Sequence, residues 1–273
     1  MKRAAAIITV LCLMSSAALA DDIKILAIGN SFTRNALKYF YAMAEASGVE
    51  GLTVANMHIS GCSLKKHFKQ ISKDKKSYEY YYQDESGETV RKKVRMSEVI
   101  SSQDWDYIIL QQTGGHSGVV GLYTPYLKYM INYVSKNSPN SDFRLVWHGT
   151  WAYAGKCRNH SFARYNYSQK RMYNAIVNAE SVLIYPNEAF DVIIPVGRAI
   201  QAIRNTSIGD KLNVSDGYHL NDTGCYAAAL TWVYTLFGIS PERVNYAPVD
   251  ISAGNMALIK QSVSQAVEQY ARR

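Results

Sequence analysis

Ser31 follows an aliphatic run, Ile25-Leu26-Ala27-Ile28, and closes the turn Gly29-Asn30-Ser31. An amphipathic segment comes next. A buried strand, a tight turn and a helix start would set this hydroxyl at the carboxyl end of a sheet strand, where α/β sheets hold their ligands. A serine there becomes a nucleophile when a base takes its proton. Far along the chain stands Asp216-Gly217-Tyr218-His219, followed by Leu220-Asn221 and a helical segment. An Asp three residues before a His can fold back and hold the Nδ1 proton, which leaves Nε2 free to accept a proton from serine. Each residue has a plainer use. Ser31 could cap the helix behind it, and His219 could be a satisfied surface histidine. Together they point to acyl transfer.

These residues need a scaffold, and the apolar spacing supplies one. Ile23 to Ile28 has the near-continuous apolar character of a parallel strand covered on both faces. Leu37, Phe40, Tyr41 and Ala44 form one helical stripe that Gly48 ends. Leu52 to Ile59 is a second strand, entering the turn Ser60-Gly61-Cys62-Ser63 and a short helix from Leu64. Asp106 to Gln112 is a third strand, followed by the loop Thr113 to Gly118. Tyr123 to Ser135 is helical. Phe143 to Trp147 is the fourth strand, leading into a loop that holds Trp151. A helix covers 162–179 and extends toward Ala189. Asp191 to Val196 is the fifth strand. Helices then carry Tyr226 to Phe237 and Met256 to Tyr270. Strands alternating with helices predict a parallel sheet with helices on both faces. The expected fold is α/β, a three-layer α/β/α sandwich with about five parallel strands.

Residues 77–95 break that alternation. Tyr78, Tyr80 and Tyr82 alternate, Asp84-Glu85-Ser86-Gly87 marks a turn, and Val90 and Val94 follow in a basic run. The pattern predicts a β-hairpin insertion. Its tyrosines either form a platform for stacking sugars or simply cover one face of the hairpin.

The first and last blocks together resemble the SGNH/GDSL hydrolase superfamily. Gly29-Asn30-Ser31-Phe32 is similar to its nucleophile block, with Asn30 in place of the usual Asp. Ser60-Gly61-Cys62 lies where its glycine block belongs. Asp216 to Asn221 with Gly224 is similar to its last block. The resemblance implies a flavodoxin-like sheet and an ester hydrolase in which Ser31 attacks, His219 is the base and Asp216 orients it. It also implies an oxyanion hole made by the N–H groups of Ser31 and Gly61 and an Asn side chain after the third strand. No Asn stands there: the chain reads Leu110-Gln111-Gln112-Thr113-Gly114-Gly115. A glutamine amide offers the same donor on a longer arm, so Gln111 is the first candidate and Gln112 the second. Asn30, His116 and Trp151 are expected to touch substrate. His58, His67 and His160 have no assigned role beyond surface or core.

Composition narrows the classes. Lys2 and Arg3, the apolar run Ile7 to Met14 and Ala18-Leu19-Ala20 form a signal-peptide pattern over residues 1–20. Residues 21–273 are then one catalytic domain, exported to a periplasmic or secreted location. No later apolar run approaches the ~20 residues of a membrane span. The net charge of +8 is largely local: residues 65–95 hold ten Lys/Arg against five Asp/Glu. Acidic residues are interleaved there, which suits a solvated insertion, and no nucleic-acid motif accompanies the charge. Cys62, Cys157 and Cys225 form no disulfide framework, although one pair could form. Nothing has metal-ligand spacing, and no cofactor is expected. The expected substrate is a small-molecule or glycan ester, an O-acetyl group on carbohydrate first. A lipase or thioesterase for longer acyl chains, and a non-catalytic glycan-binding protein on the same scaffold, are the alternatives.

Overall fold

The computed structural model describes residues 22–248 and 250–272. The signal-peptide pattern at 1–20 lies outside the described residues.

β1 (Ile23–Gly29) leads into α1 (Ser31–Leu37) and α2 (Phe40–Ala46). The stripe predicted as one helix is therefore two helices. Its apolar spacing runs through the junction, so nothing in the periodicity marks the break. β2 (Leu52–His58), α3 (Leu64–Ile71), β3 (Tyr78–Asp84) and β4 (Gly87–Val94) follow. Then come α4 (Met96–Ile100), β5 (Tyr107–Leu110), α5 (Tyr126–Asn137) and β6 (Arg144–His148). The chain continues with α6 (Gln169–Leu183), β7 (Val192–Ile194) and α7 (Val196–Arg204). It ends with α8 (Asp222–Phe237) and α9 (Ala253–Tyr270).

The strands form one sheet in the order β4-β3-β2-β1-β5-β6-β7. β2, β1, β5, β6 and β7 are parallel, and the hairpin adds two antiparallel strands at the edge. Strand alternation divides the core in two. Ile25 and Ala27 of β1 join the cluster beneath α1, α2, α7, α8 and α9. Leu26 and Ile28 join the cluster beneath α3, α4 and α5. This is the expected α/β sandwich. β1 lies at its centre, where the chain order turns from β2 on one side to β5 on the other. The loops after these strands part at such a point and leave a crevice.

Three elements differ from the reading of the sequence. The helix expected from residue 162 begins as a 3₁₀ turn, His160–Tyr165. Asn166 and Tyr167 then adopt positive φ, and Ser168 starts α6 by accepting from the Arg171 N–H. α7 was not anticipated. Pro195 reads as a strand end, but it is also the residue from which α7 starts, a place where a missing N–H costs nothing. α8 is buried nearly all round rather than along one stripe, as suits a helix packed between α1–α2 and α7–α9.

The hairpin tyrosines do not form a platform. Tyr78 and Tyr80 are buried in the core, and Tyr78 Oη bonds His67 Nδ1 at 3.0 Å. β4 is exposed along almost its whole length and carries Arg91, Lys92 and Lys93. Charge on an edge strand discourages pairing with another sheet.

Candidate active site

Ser31 is the first residue of α1. Asn30 precedes it as the cap, its Oδ1 accepting from the Phe32 N–H at 2.9 Å. The other end of the same amide donates to the Cys62 carbonyl at 2.9 Å. The turn after β1 is thereby bolted to the turn after β2. Asn30 is 1% exposed with both ends of its amide engaged, so its side chain positions the turn, while the residue itself stands in the wall of the cavity at Ser31.

Ser31 Oγ lies 2.7 Å from His219 Nε2, and His219 Nδ1 lies 2.7 Å from Asp216 Oδ2. The carboxylate accepts a hydrogen bond from the Nδ1–H, which keeps the ring proton there and leaves Nε2 to accept from the Ser31 hydroxyl. Asp216 Oδ1 accepts the N–H groups of Tyr218 and His219, at 2.9 and 3.0 Å. Partial burial alone would raise the Asp216 pKa. Those two N–H groups and the His219 ring outweigh it and hold the carboxyl below its usual range. Gly217, at φ +79°, lets this loop turn, and a Cβ there would stand 2.8 Å from the Cys157 backbone.

Distant residues hold the loop. Asn35 of α1 accepts the Leu220 N–H at 3.0 Å. Trp151 donates its indole N–H to the Tyr218 carbonyl at 2.9 Å and stacks on Phe32. The buried Arg204 donates to the Ala152 carbonyl and to Asn213 Oδ1, at 2.9 and 2.8 Å. Asn213 Nδ2 in turn donates to the His219 carbonyl. Trp151 is completely buried and braces the relay from behind. The expectation that it touches substrate is corrected.

A cavity of about 260 Å³ opens at Ser31. Gly61, Thr113, His116, Tyr153, His160 and Tyr218 are among its walls. Gly61 sits at φ +58°, a left-handed turn that suits glycine. His116 lines the cavity as expected; burial, and secondarily Arg164, lower its pKa. His160 lines it too, and was passed over in the sequence. Tyr153, Tyr218 and Thr113 were also not singled out. Their signal was position: each stands in a loop that leaves the carboxyl end of a strand or adjoins Asp216–His219.

Neither glutamine reaches this cavity. Gln112 is fully buried. Its Oε1 accepts the N–H groups of Leu64 and Thr113, and its Nε2 donates to the Leu122 carbonyl. Gln111 points to the opposite face and packs beneath Gly29, 3.1 Å from where a Cβ on that glycine would stand. Placing the third oxyanion donor on Gln111 or Gln112 is thus corrected: strand pleat and packing direct both amides into the protein.

Among the described residues, no group of three His, Cys, Asp or Glu is placed to hold a metal ion. Cys62, Cys157 and Cys225 are each buried and unpaired. No described helix is long and apolar enough to cross a membrane.

No curated protein matches the chain significantly. A crystal structure of a DUF4886 family protein from Bacteroides uniformis is similar at 32% identity and a TM-score of 0.84, covering 91% of this chain and 95% of that one. A candidate SGNH hydrolase from Slackia heliotrinireducens shares the fold at 18% identity and a TM-score of 0.51, covering 79% and 99%. A catalytic mutant of an acetylxylan esterase from Geobacillus stearothermophilus shares it at 10% identity and a TM-score of 0.50, covering 84% and 97%. The model of a domain of unknown function, DUF4886, matches residues 24–266, and the chain belongs to that family.

Proposed function

We propose that this chain is an exported serine esterase that removes O-acyl groups, acetyl first, from carbohydrate. The observation that carries the reading is the relay from Ser31 through His219 to Asp216, with both hydrogen bonds at 2.7 Å, beside an open cavity. Ser31 Oγ attacks the ester carbonyl while its proton passes to His219 Nε2. Asp216 stabilises the imidazolium that results. The oxyanion of the tetrahedral intermediate faces the N–H groups of Ser31 and Gly61. His219 then gives its proton to the leaving alcohol, and water repeats the sequence to release the acid.

A short acyl group suits the cavity. At about 260 Å³ it falls below the ~300–1,000 Å³ typical of drug-sized ligands. Behind it Gly114 packs so closely that an added Cβ would meet Phe32 at 2.7 Å and Tyr153 at 2.9 Å. His116, Asn159, His160 and Tyr218 are among the residues that line it, a polar set suited to sugar hydroxyls. The acetylxylan esterase of the same fold adds weight to an acetylated carbohydrate. A lipase or thioesterase would need an apolar channel beside Ser31. The more apolar cavity of about 500 Å³, lined by Tyr123, Pro125, Leu127, Ile131 and Leu183, does not include Ser31. Export rests on the leader pattern at residues 1–20.

The test is a panel of nitrophenyl esters of increasing chain length, together with acetylated oligosaccharides. The reading predicts the highest kcat/KM for acetyl and loss of turnover in Ser31→Ala. Equal activity of wild type and Ser31→Ala across the panel would defeat it, and a rise toward long chains would favour the lipase alternative.

A further inference from the structure

Attack on an ester puts negative charge on the carbonyl oxygen, and donors fixed in advance around that point are the largest single aid to acyl transfer. On the esterase reading, Ser31 and Gly61 supply two N–H groups. With both glutamines turned inward, the sheet register shows what lies on the remaining side. β1 pairs with β2 so that Gly29 faces His58, and with β5 so that Ile28 faces Leu110. Beyond these strand ends Ser31 opens α1, and the loops after β2 and β5 bring Ser60 and Thr113 to it from either side of β1. All three residues border the same cavity.

The backbone of Thr113 is held at both ends. Its N–H donates to Gln112 Oε1 at 2.9 Å. Its carbonyl accepts the His116 N–H at 2.9 Å and the Ser117 hydroxyl at 3.0 Å. Gln112 Oε1 also accepts the Leu64 N–H at 3.2 Å, so one buried amide ties the Thr113 loop to the loop that carries Gly61. The Thr113 hydroxyl makes no hydrogen bond to any described residue, and its β-branched side chain has few rotamers. Ser60, on the other side, is an exposed residue without a branched side chain, next to the Gly61 N–H that already serves that side.

We propose that Thr113 is a catalytic residue: its hydroxyl donates the third hydrogen bond to the oxyanion formed when Ser31 attacks an ester. The inference rests on the esterase reading and extends it.

The experiment compares wild type with Thr113→Val, Thr113→Ser and Gln111→Met on nitrophenyl acetate, and measures affinity for a small alkylboronic acid that forms a tetrahedral adduct on serine. Thr113→Val keeps the side-chain shape and should lower kcat by about 10²-fold, the scale for loss of one such donor, with KM little changed. Boronate affinity should fall alongside kcat, while the Tm stays near wild type. Thr113→Ser should restore most of both. Gln111→Met should behave as wild type. An active wild type matched by Thr113→Val would overturn the inference and leave the esterase reading intact, as would Gln111→Met falling as far as Thr113→Val. A wild type inert on all esters would remove both.

Discussion

The indole of Trp151 lies flat on the Phe32 ring, with centroids 4.1 Å apart and planes 4° from parallel. Phe32 follows Ser31 in α1, and the Trp151 N–H is bonded to the carbonyl next to His219. One buried side chain therefore spans the two halves of the relay, which are 188 residues apart in sequence. Such a stack contributes about 0.5–1.5 kcal/mol beyond the area it buries. Its greater consequence is geometric, because it couples the position of the serine to that of the base.

Trp151→Phe separates stacking from tethering. The phenyl ring can still lie on Phe32, but the Tyr218 carbonyl loses its donor. An orphaned buried acceptor costs about 1–3 kcal/mol, and each kcal/mol lowers the Tm of a chain this size by about 2–4 °C. Thermal unfolding should show that drop. Ester turnover should fall more than KM rises, because the loop carrying His219 is less firmly held.

Asp216→Asn tests the tautomer. The amide oxygen can keep the N–H bonds of Tyr218 and His219 now made by Oδ1. The amide nitrogen would then face His219 Nδ1 as a donor and force the ring proton onto Nε2, toward Ser31. In a Ser–His–Asp site that change lowers kcat by about 10⁴-fold. The expected result is a near-native Tm with turnover reduced on that scale. A loss below tenfold would mean that Asp216 does not set the tautomer.

The buried Glu180 gives stability its own pH dependence. Burial pushes its carboxyl up to about 7, with Arg198, 3.8 Å away, opposing the shift. The folded state then holds a proton that the unfolded chain releases near pH 4.5. Stability from this group is full below that point and falls as the pH rises through about 7. At about 1.4 kcal/mol per unit, the change is on the order of 3 kcal/mol. Denaturant unfolding should show wild type losing stability between pH 4.5 and about pH 7, and Glu180→Gln should flatten that slope.

Local pattern carried much of this site. Ser31, Asp216 and His219 stand in short blocks whose chemistry depends on spacing along the chain. The five parallel strands and the hairpin were legible from apolar runs and turn residues. What stayed hidden depends on contacts between distant segments. Trp151 reaches Tyr218 across 67 residues, and Arg204 reaches Ala152 across 52; neither follows from a local motif. The glutamines show a subtler limit. Strand parity separates Gln111 from Gln112 onto opposite faces, but only the packing shows that both faces lead into core. Pro195 marks a strand's end and a helix's start at once, and the sequence pattern alone revealed only the first.

The most direct test of the central claim is covalent trapping. Wild type, Ser31→Ala and His219→Ala are treated with a fluorophosphonate, and the labelled peptide is identified by mass spectrometry alongside nitrophenyl acetate turnover. A Ser31 activated by His219 predicts one adduct on Ser31 in wild type, none there in Ser31→Ala, greatly slowed labelling in His219→Ala, and turnover lost in step. Wild-type turnover in Ser31→Ala, with no adduct on Ser31 in wild type, would contradict it.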